Sequence, residues 1–234
     1  MNTPALAASL LALAATASLG LGAPAAFHGK VDFKITSSRG PVNLTYFVKG
    51  DRARTEFALE GGRSAAVIMN FGQHEMTMLM PEQKMYMVRP LTVPTASEGS
   101  RAAGGPPPEV KRTGQYETIL GHKCEKIVVK SQNETTEIWG AEDMGVFMNP
   151  AMTGPMGRPA ANPSSAWEAE LFQRGFFPMR VVTRDADGKE TNRMEVTAID
   201  ASPLADSLFA PPADYRKFEM PTIPGMGGMN PFKR

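Results

Sequence analysis

The chain has 234 residues, 25 basic against 24 acidic, with 42% hydrophobic residues, 20 prolines, 22 glycines and one cysteine. A net charge of +1 gives no electrostatic reason to expect nucleic acid or an anionic membrane as the main partner. Lone Cys124 excludes an internal disulfide framework, and the many loop formers favour a small core with long loops over one large core.

In chain order, residues 1–25 read as an export signal. The run 5–22 is uncharged and rich in Ala and Leu, and Ala23-Pro24-Ala25 follows it as a small-x-small cleavage pattern, although Met1 to Pro4 carries no Lys or Arg. An uncleaved amino-terminal anchor is the alternative. No later stretch approaches the ~18 consecutive apolar residues of a spanning helix. The expected mature protein is therefore exported, periplasmic or else secreted, with one domain over 26–218 and a disordered tail over 219–234.

Period-two alternation begins at Phe27, where Phe27, Gly29, Val31, Phe33 and Ile35 alternate with polar neighbours, as in an antiparallel strand with one solvated face. Val42, Leu44, Tyr46 and Val48 repeat the pattern. Gly50-Asp51 is a two-residue hairpin signal leading into 52–59, where Ala53, Thr55 and Phe57 face one way and Arg52, Arg54 and Glu56 the other. A fourth strand spans 64–70.

The stretch 74–88 organises this half. Methionine occupies every second position before a turn (Met76, Met78, Met80) and again after it (Met85, Met87). A tight turn at Glu82-Gln83 pairs Met80 with Met85, Leu79 with Tyr86 and Met78 with Met87, so both arms show their methionines to one side.

Residues 90–112, with Pro90, Pro94, Gly104, Gly105 and Pro106-Pro107-Pro108, read as a long mobile loop, and 149–163 as another. Strands resume at 114–120, 122–130 and 134–139. In the second of these both faces carry apolar and charged residues, so both are expected to be partly covered. Helical character is predicted for 141–147 and for 164–174, the latter with Trp167 and Leu171 on its buried stripe. A hairpin of 177–183 and 190–199 closes the reading. The fold class is mainly β (α+β): a curved, incompletely closed antiparallel barrel of about eleven strands, with one or two short helices on its concave side.

Catalytic signals are weak. His122 and Cys124 lie two apart on one strand with no identifiable orienting carboxylate, so no residue is assigned a catalytic role. Asp185-Ala186-Asp187-Gly188 begins like a calcium loop, but Lys189 stands where the next ligand belongs, and a hairpin turn is the better reading. No cofactor is expected.

Several stretches are similar to an exported bacterial family of unknown function. They are a basic hairpin over 46–54, the step Ile119-Leu120-Gly121-His122-Lys123-Cys124, and the tryptophan strand over 137–145. The ending Asp206-Ser207-Leu208-Phe209-Ala210-Pro211-Pro212 resembles that family and also the periplasmic outer-membrane lipoprotein carriers. The likeness to the carriers covers roughly 27–88 and the ending. It departs at Met78-Leu79-Met80-Pro81, where the carriers have Trp-x-Tyr-Asp. The resemblance implies a half-barrel holding acyl chains of a lipid or lipidated protein under a helical lid.

Three readings of the methionine face stay open. It packs a core; it walls an apolar groove, with Met76, Met78, Met80, Met85, Met87, Trp167 and Leu171 as the lining; or it binds Cu(I) through His74, Met76, Met78 and Met80. An envelope scaffold that binds protein through its sheet edge is a further reading. Arg52 and Arg54 read as a solvated face, while a carrier-like fold would make Arg54 a latch on a lid carbonyl.

Overall fold

The computed structural model describes residues 27–38, 40–58, 64–91, 108–131, 133–145, 147–148, 168, 171 and 175–219. The predicted signal at 1–25, Trp167, the loop at 149–163, residues 92–107 of the other loop, and the tail from 220 onward lie outside these.

Among the described residues twelve strands form one sheet: β1 (Gly29–Ser37), β2 (Gly40–Lys49), β3 (Arg52–Ala58), β4 (Ser64–Asn70), β5 (Glu75–Met80), β6 (Met85–Pro90), β7 (Glu109–Ile119), β8 (His122–Lys130), β9 (Glu134–Ala141), β10 (Phe177–Asp185), β11 (Glu190–Asp200) and β12 (Arg216–Lys217). Their order is β12-β6-β5-β4-β3-β2-β1-β11-β10-β9-β8-β7, a curved, open sheet that does not close. Two meanders, β1 to β6 and β7 to β11, thus meet where β1 pairs with β11, and only the short β12 pairs parallel. All eleven predicted strands are present.

The structure corrects the sequence reading in three places. β7 begins at Glu109, inside the predicted loop 90–112, and its alternation is invisible because it is a largely exposed edge strand. It also carries a bulge between Arg112 and Tyr116, where Gly114 adopts φ +70. No helix forms among the described residues of 141–147: Ala141 ends β9, residues 142–144 bend, and Gly145 takes φ +79, outside helical geometry. The third is β12, whose two exposed residues carry no strand signal. Of the other predicted helix, Glu168 and Leu171 are described; both are helical and buried.

Register sorts the side chains of β1 to β6 onto two faces. One face, here called inner, carries the row Val31, Tyr46, Thr55, Val67, Met78, Met87, in which each residue pairs with the next. It belongs to the main hydrophobic core. The chain between β9 and β10 returns over this core and contributes Met144, Phe147, Met148, Leu171 and Phe176, all buried. Phe33, Tyr46, Phe147 and Phe177 cluster with ring centroids between 5.2 Å and 5.9 Å apart. The Tyr46 hydroxyl accepts the Met148 N–H at 3.3 Å, and burial pushes its pKa up. The middle of the hollow is thus filled by the chain itself. Each such side chain contributes about 2 kcal/mol by leaving water.

The opposite, outer face of β2 to β6 carries a second, smaller core. Ala66, Ile68 and Leu79, with Phe47 and Tyr86, pack against Leu204, Leu208, Phe209 and Tyr215 of the carboxy-terminal segment. That segment forms a 3-10 turn, Asp206–Phe209, and then β12 on the edge of β6.

Candidate functional site

The methionine hairpin forms in the predicted register: Met78 pairs with Met87, Leu79 with Tyr86 and Met80 with Met85. Pro81 starts a 3-10 turn, Pro81–Gln83, and Lys84 closes it in the left-handed conformation at φ 48. The alternation therefore splits the hairpin cleanly. Its leucine and tyrosine face joins the outer core, and its methionines face inward.

Burial along the methionine face is graded. Met76 is 2% exposed and Leu171 is 1% exposed, so both belong to the core. Met78 packs against that core from the rim, and Met80, Met85 and Met87 are half-buried at the edge of the sheet. Trp167 lies outside the described residues. The face is core at one end and accessible thioether surface at the other.

Two polar groups belong to this face. Thr55, in the same row as Met78 and Met87, is 1% exposed, and its Oγ1 has no hydrogen-bond partner among the described residues. Arg89 follows Met87 on β6 and sits opposite Met76, partly buried. Neither is singled out by the sequence pattern. Arg89 is legible in principle, since it continues the parity of Met85 and Met87; an orphaned hydroxyl has no sequence signal.

His74 does not stand beside Met76. It occupies the exposed turn before β5 with φ 54, and parity does not carry through a left-handed residue. The Cu(I) set His74, Met76, Met78 and Met80 is thereby divided between an exposed imidazole and a fully packed Met76. Among the described residues no group of three or more His, Cys, Asp and Glu could hold a metal ion.

Arg52 and Arg54 do not form a solvated face. Arg54 Nη1 donates to the Leu208 carbonyl at 3.0 Å and Nε to Glu56 at 2.7 Å. Arg52 donates to Asp206 at 2.9 Å with its guanidinium over the Phe209 ring, and Lys49 Nζ reaches the Leu204 carbonyl at 2.7 Å. The carbonyl that Arg54 holds thus belongs to the carboxy-terminal strap on the outer face. Hydrogen bonds from Lys49 and Arg52 hold the Asp206 carboxyl below its ordinary pKa.

At the far end of the sheet a cleft of about 270 Å³ is lined by Tyr116, Lys123, Glu125, Gly140, Glu142, Asp143 and Phe176. Buried Glu125 is held there in a bidentate pair by Arg112, whose guanidinium lies over Phe176. His122 has an orienting carboxylate after all, Asp143 at 2.9 Å, which comes from the bend after β9. Cys124 is nonetheless no nucleophile in this setting. Its thiol is fully buried, donates to the His122 carbonyl at 3.4 Å, and is pushed up to about 11 by desolvation. The Asp185 carboxylate accepts the N–H groups of Asp187 and Lys189, as a hairpin turn requires.

A family described as a domain of unknown function, DUF4412, matches residues 27–215. This bears out the resemblance to a family of unknown function. No curated protein matches the sequence. Among solved structures, an uncharacterized conserved protein from Thermus thermophilus is similar over 83% of this chain and 91% of its own, with 12% identity and a TM-score of 0.49. The MucA/MucB complex of Pseudomonas aeruginosa is similar over 78% of this chain and 55% of that chain, with 12% identity and a TM-score of 0.43. A putative outer membrane lipoprotein-sorting protein domain from Vibrio parahaemolyticus is similar over 77% of this chain and 87% of its own, with 9% identity and a TM-score of 0.28.

Proposed function

The chain belongs to the DUF4412 family, and on that premise we propose that it is a non-catalytic binding protein that takes acyl chains, of a lipid or a lipidated protein, on the methionine edge of its inner face. The observation that carries this reading is the gradient from packed Met76 to half-buried Met80, Met85 and Met87, which extends one apolar face from the core to the rim. Thioether side chains suit such a role because they are flexible and polarizable and adapt to chains of different shape. The filled middle of the hollow favours a ligand laid along the rim over one swallowed whole. Buried, protonated Cys124 supports a role without covalent chemistry. The uncharged run at 5–22 supports an activity outside the cytoplasm, most simply in the periplasm.

Native mass spectrometry of the full chain, expressed with its own first 25 residues, tests the proposal. The expected result is a co-purified lipid adduct that is lost when Met80, Met85 and Met87 are together replaced by Gln. An adduct unchanged in that variant, or none in the unaltered protein with lipid supplied, would overturn it.

A further inference from the structure

The methionine edge is not uniformly apolar, and its one charge meets no counterion among the described residues. By register the inner face of β1 to β6 consists of small, aliphatic, aromatic and methionine side chains with the hydroxyls of Ser37, Tyr46 and Thr55. Arg89 is the sole charged residue on it. It is adjacent to Met87 along β6 and opposite Met76 on β5, at the border between packed core and accessible methionines.

On the outer face of β2 to β6 the basic residues are matched. Lys49 and Arg52 meet Asp206, Arg54 meets Glu56 and a backbone carbonyl, and Lys84 meets Asp214. Arg89 is partly buried and, among the described residues, makes no ion pair and no side-chain hydrogen bond. A guanidinium drawn out of bulk water without a partner gives up hydration and gains nothing in return. Its planar fork is the natural complement of a carboxylate or phosphate, which it binds through two parallel hydrogen bonds.

We propose that Arg89 holds the anionic head of an amphiphile, a carboxylate or phosphate, whose apolar chain lies on Met78, Met80, Met85 and Met87. This rests on reading the methionine edge as a binding surface and adds the chemical class of the ligand. The charge selects the head and fixes which end of the chain lies at Arg89, while the methionines accept the tail without specifying its length.

Titration calorimetry with twelve-carbon probes below their micelle concentrations tests this: dodecanoate, dodecyl phosphate, neutral dodecanol and, separately, inorganic phosphate. The two anionic amphiphiles are expected to bind roughly tenfold more tightly than dodecanol, the lower end for a charge-assisted hydrogen bond at a partly exposed site. Added salt shrinks that advantage. Arg89→Gln abolishes it without lowering the unfolding midpoint, while Arg89→Lys keeps part of it. Equal binding of dodecanol and dodecanoate, or an advantage that survives Arg89→Gln, overturns the role of Arg89 and leaves the methionine surface standing. Inorganic phosphate binding as tightly as dodecyl phosphate makes the site one for free oxyanions and overturns the amphiphile. No binding of any amphiphile overturns both this inference and the function on which it rests.

Discussion

The outer face of the sheet is finished in two different ways. Over β2 to β6 it is apolar and covered: Phe47, Ala66, Ile68, Leu79 and Tyr86 lie under the strap, and the basic residues around them fasten that strap. Over β8 to β11 it is charged, with Trp139 and buried Val182 set between the ion pairs. Lys126 and Arg184 pair with Glu137, and Arg180 with Glu195, across neighbouring strands, while Arg193 pairs with Glu190 and Glu195 along its own. In both regions arginines alternate with core residues, so local pattern is the same. What differs is the company on the same face. Where the outer neighbours are apolar, the sheet needs a cover and the arginines find carbonyls and carboxylates on it; where the neighbours are glutamates, the charges pair within the sheet.

The largest effect that sharpens this contrast is expected at the strap's anchor. Phe209, 7% exposed, closes the outer core, and Phe209→Ala should cost about 3 kcal/mol in urea unfolding. A loss below about 1 kcal/mol would mean that the strap is a loose cover and not part of the core.

Next comes the fastening. Arg54→Leu leaves the Leu208 carbonyl without its donor and should cost about 1 to 2 kcal/mol. The loss should be read as reduced hydrogen-exchange protection of the Arg216 and Phe218 amides, which bond to Lys84 and Tyr86. Unchanged protection would sink the fastening role.

On the same strand, the inward neighbour of Arg54 predicts the opposite sign. Thr55→Val removes an unpartnered buried hydroxyl while keeping the shape, and should stabilise by up to about 1 kcal/mol. Destabilisation would show that the hydroxyl has a partner, such as a bound water.

In the charged region single removals should do little. Arg193→Ala is expected to cost less than about 1 kcal/mol, because exposed ion pairs gain modestly against side-chain entropy and screening. A cost as large as that of Phe209→Ala would erase the distinction between the two regions.

Acid separates them most gently. Asp206 and Asp214 have carboxyls held below their ordinary range by hydrogen bonds from Lys49, Arg52 and Lys84. Their contribution is therefore present above the unfolded carboxylate pKa and is lost as pH falls through the lower folded value. Strap protection should decline below about pH 4 before the β8 to β11 core opens, and less so in Asp206→Asn.

Most strands are legible because their alternation records a buried face. The Gly50-Asp51 hairpin and the register of Met78 with Met87 follow from turn length and parity alone. β7 hides its first residues because an exposed edge strand has no apolar face to alternate. The expected helix at 141–147 fails because composition alone cannot show that Gly145 is left-handed or that Phe147 is drawn into the aromatic cluster. At the candidate site the methionines can be found by period two. Their gradient of burial cannot, since it depends on which of them reach the main core, as Met76 does and Met80, Met85 and Met87 do not.

By itself, then, the sequence determined an antiparallel sheet of alternating strands, the pairing within its hairpins, and one methionine face. These are local matters of period two and turn chemistry, settled within a few residues. Only the tertiary structure decided that β1 pairs with β11, that Arg52 and Arg54 fasten a strap over the outer face, and that Met76 is packed while Met80, Met85 and Met87 stay half-buried at the rim. Those outcomes join residues far apart in the chain, 154 positions in the Arg54 to Leu208 bond, and are selected by what each face must bury and which charges can be neutralised there.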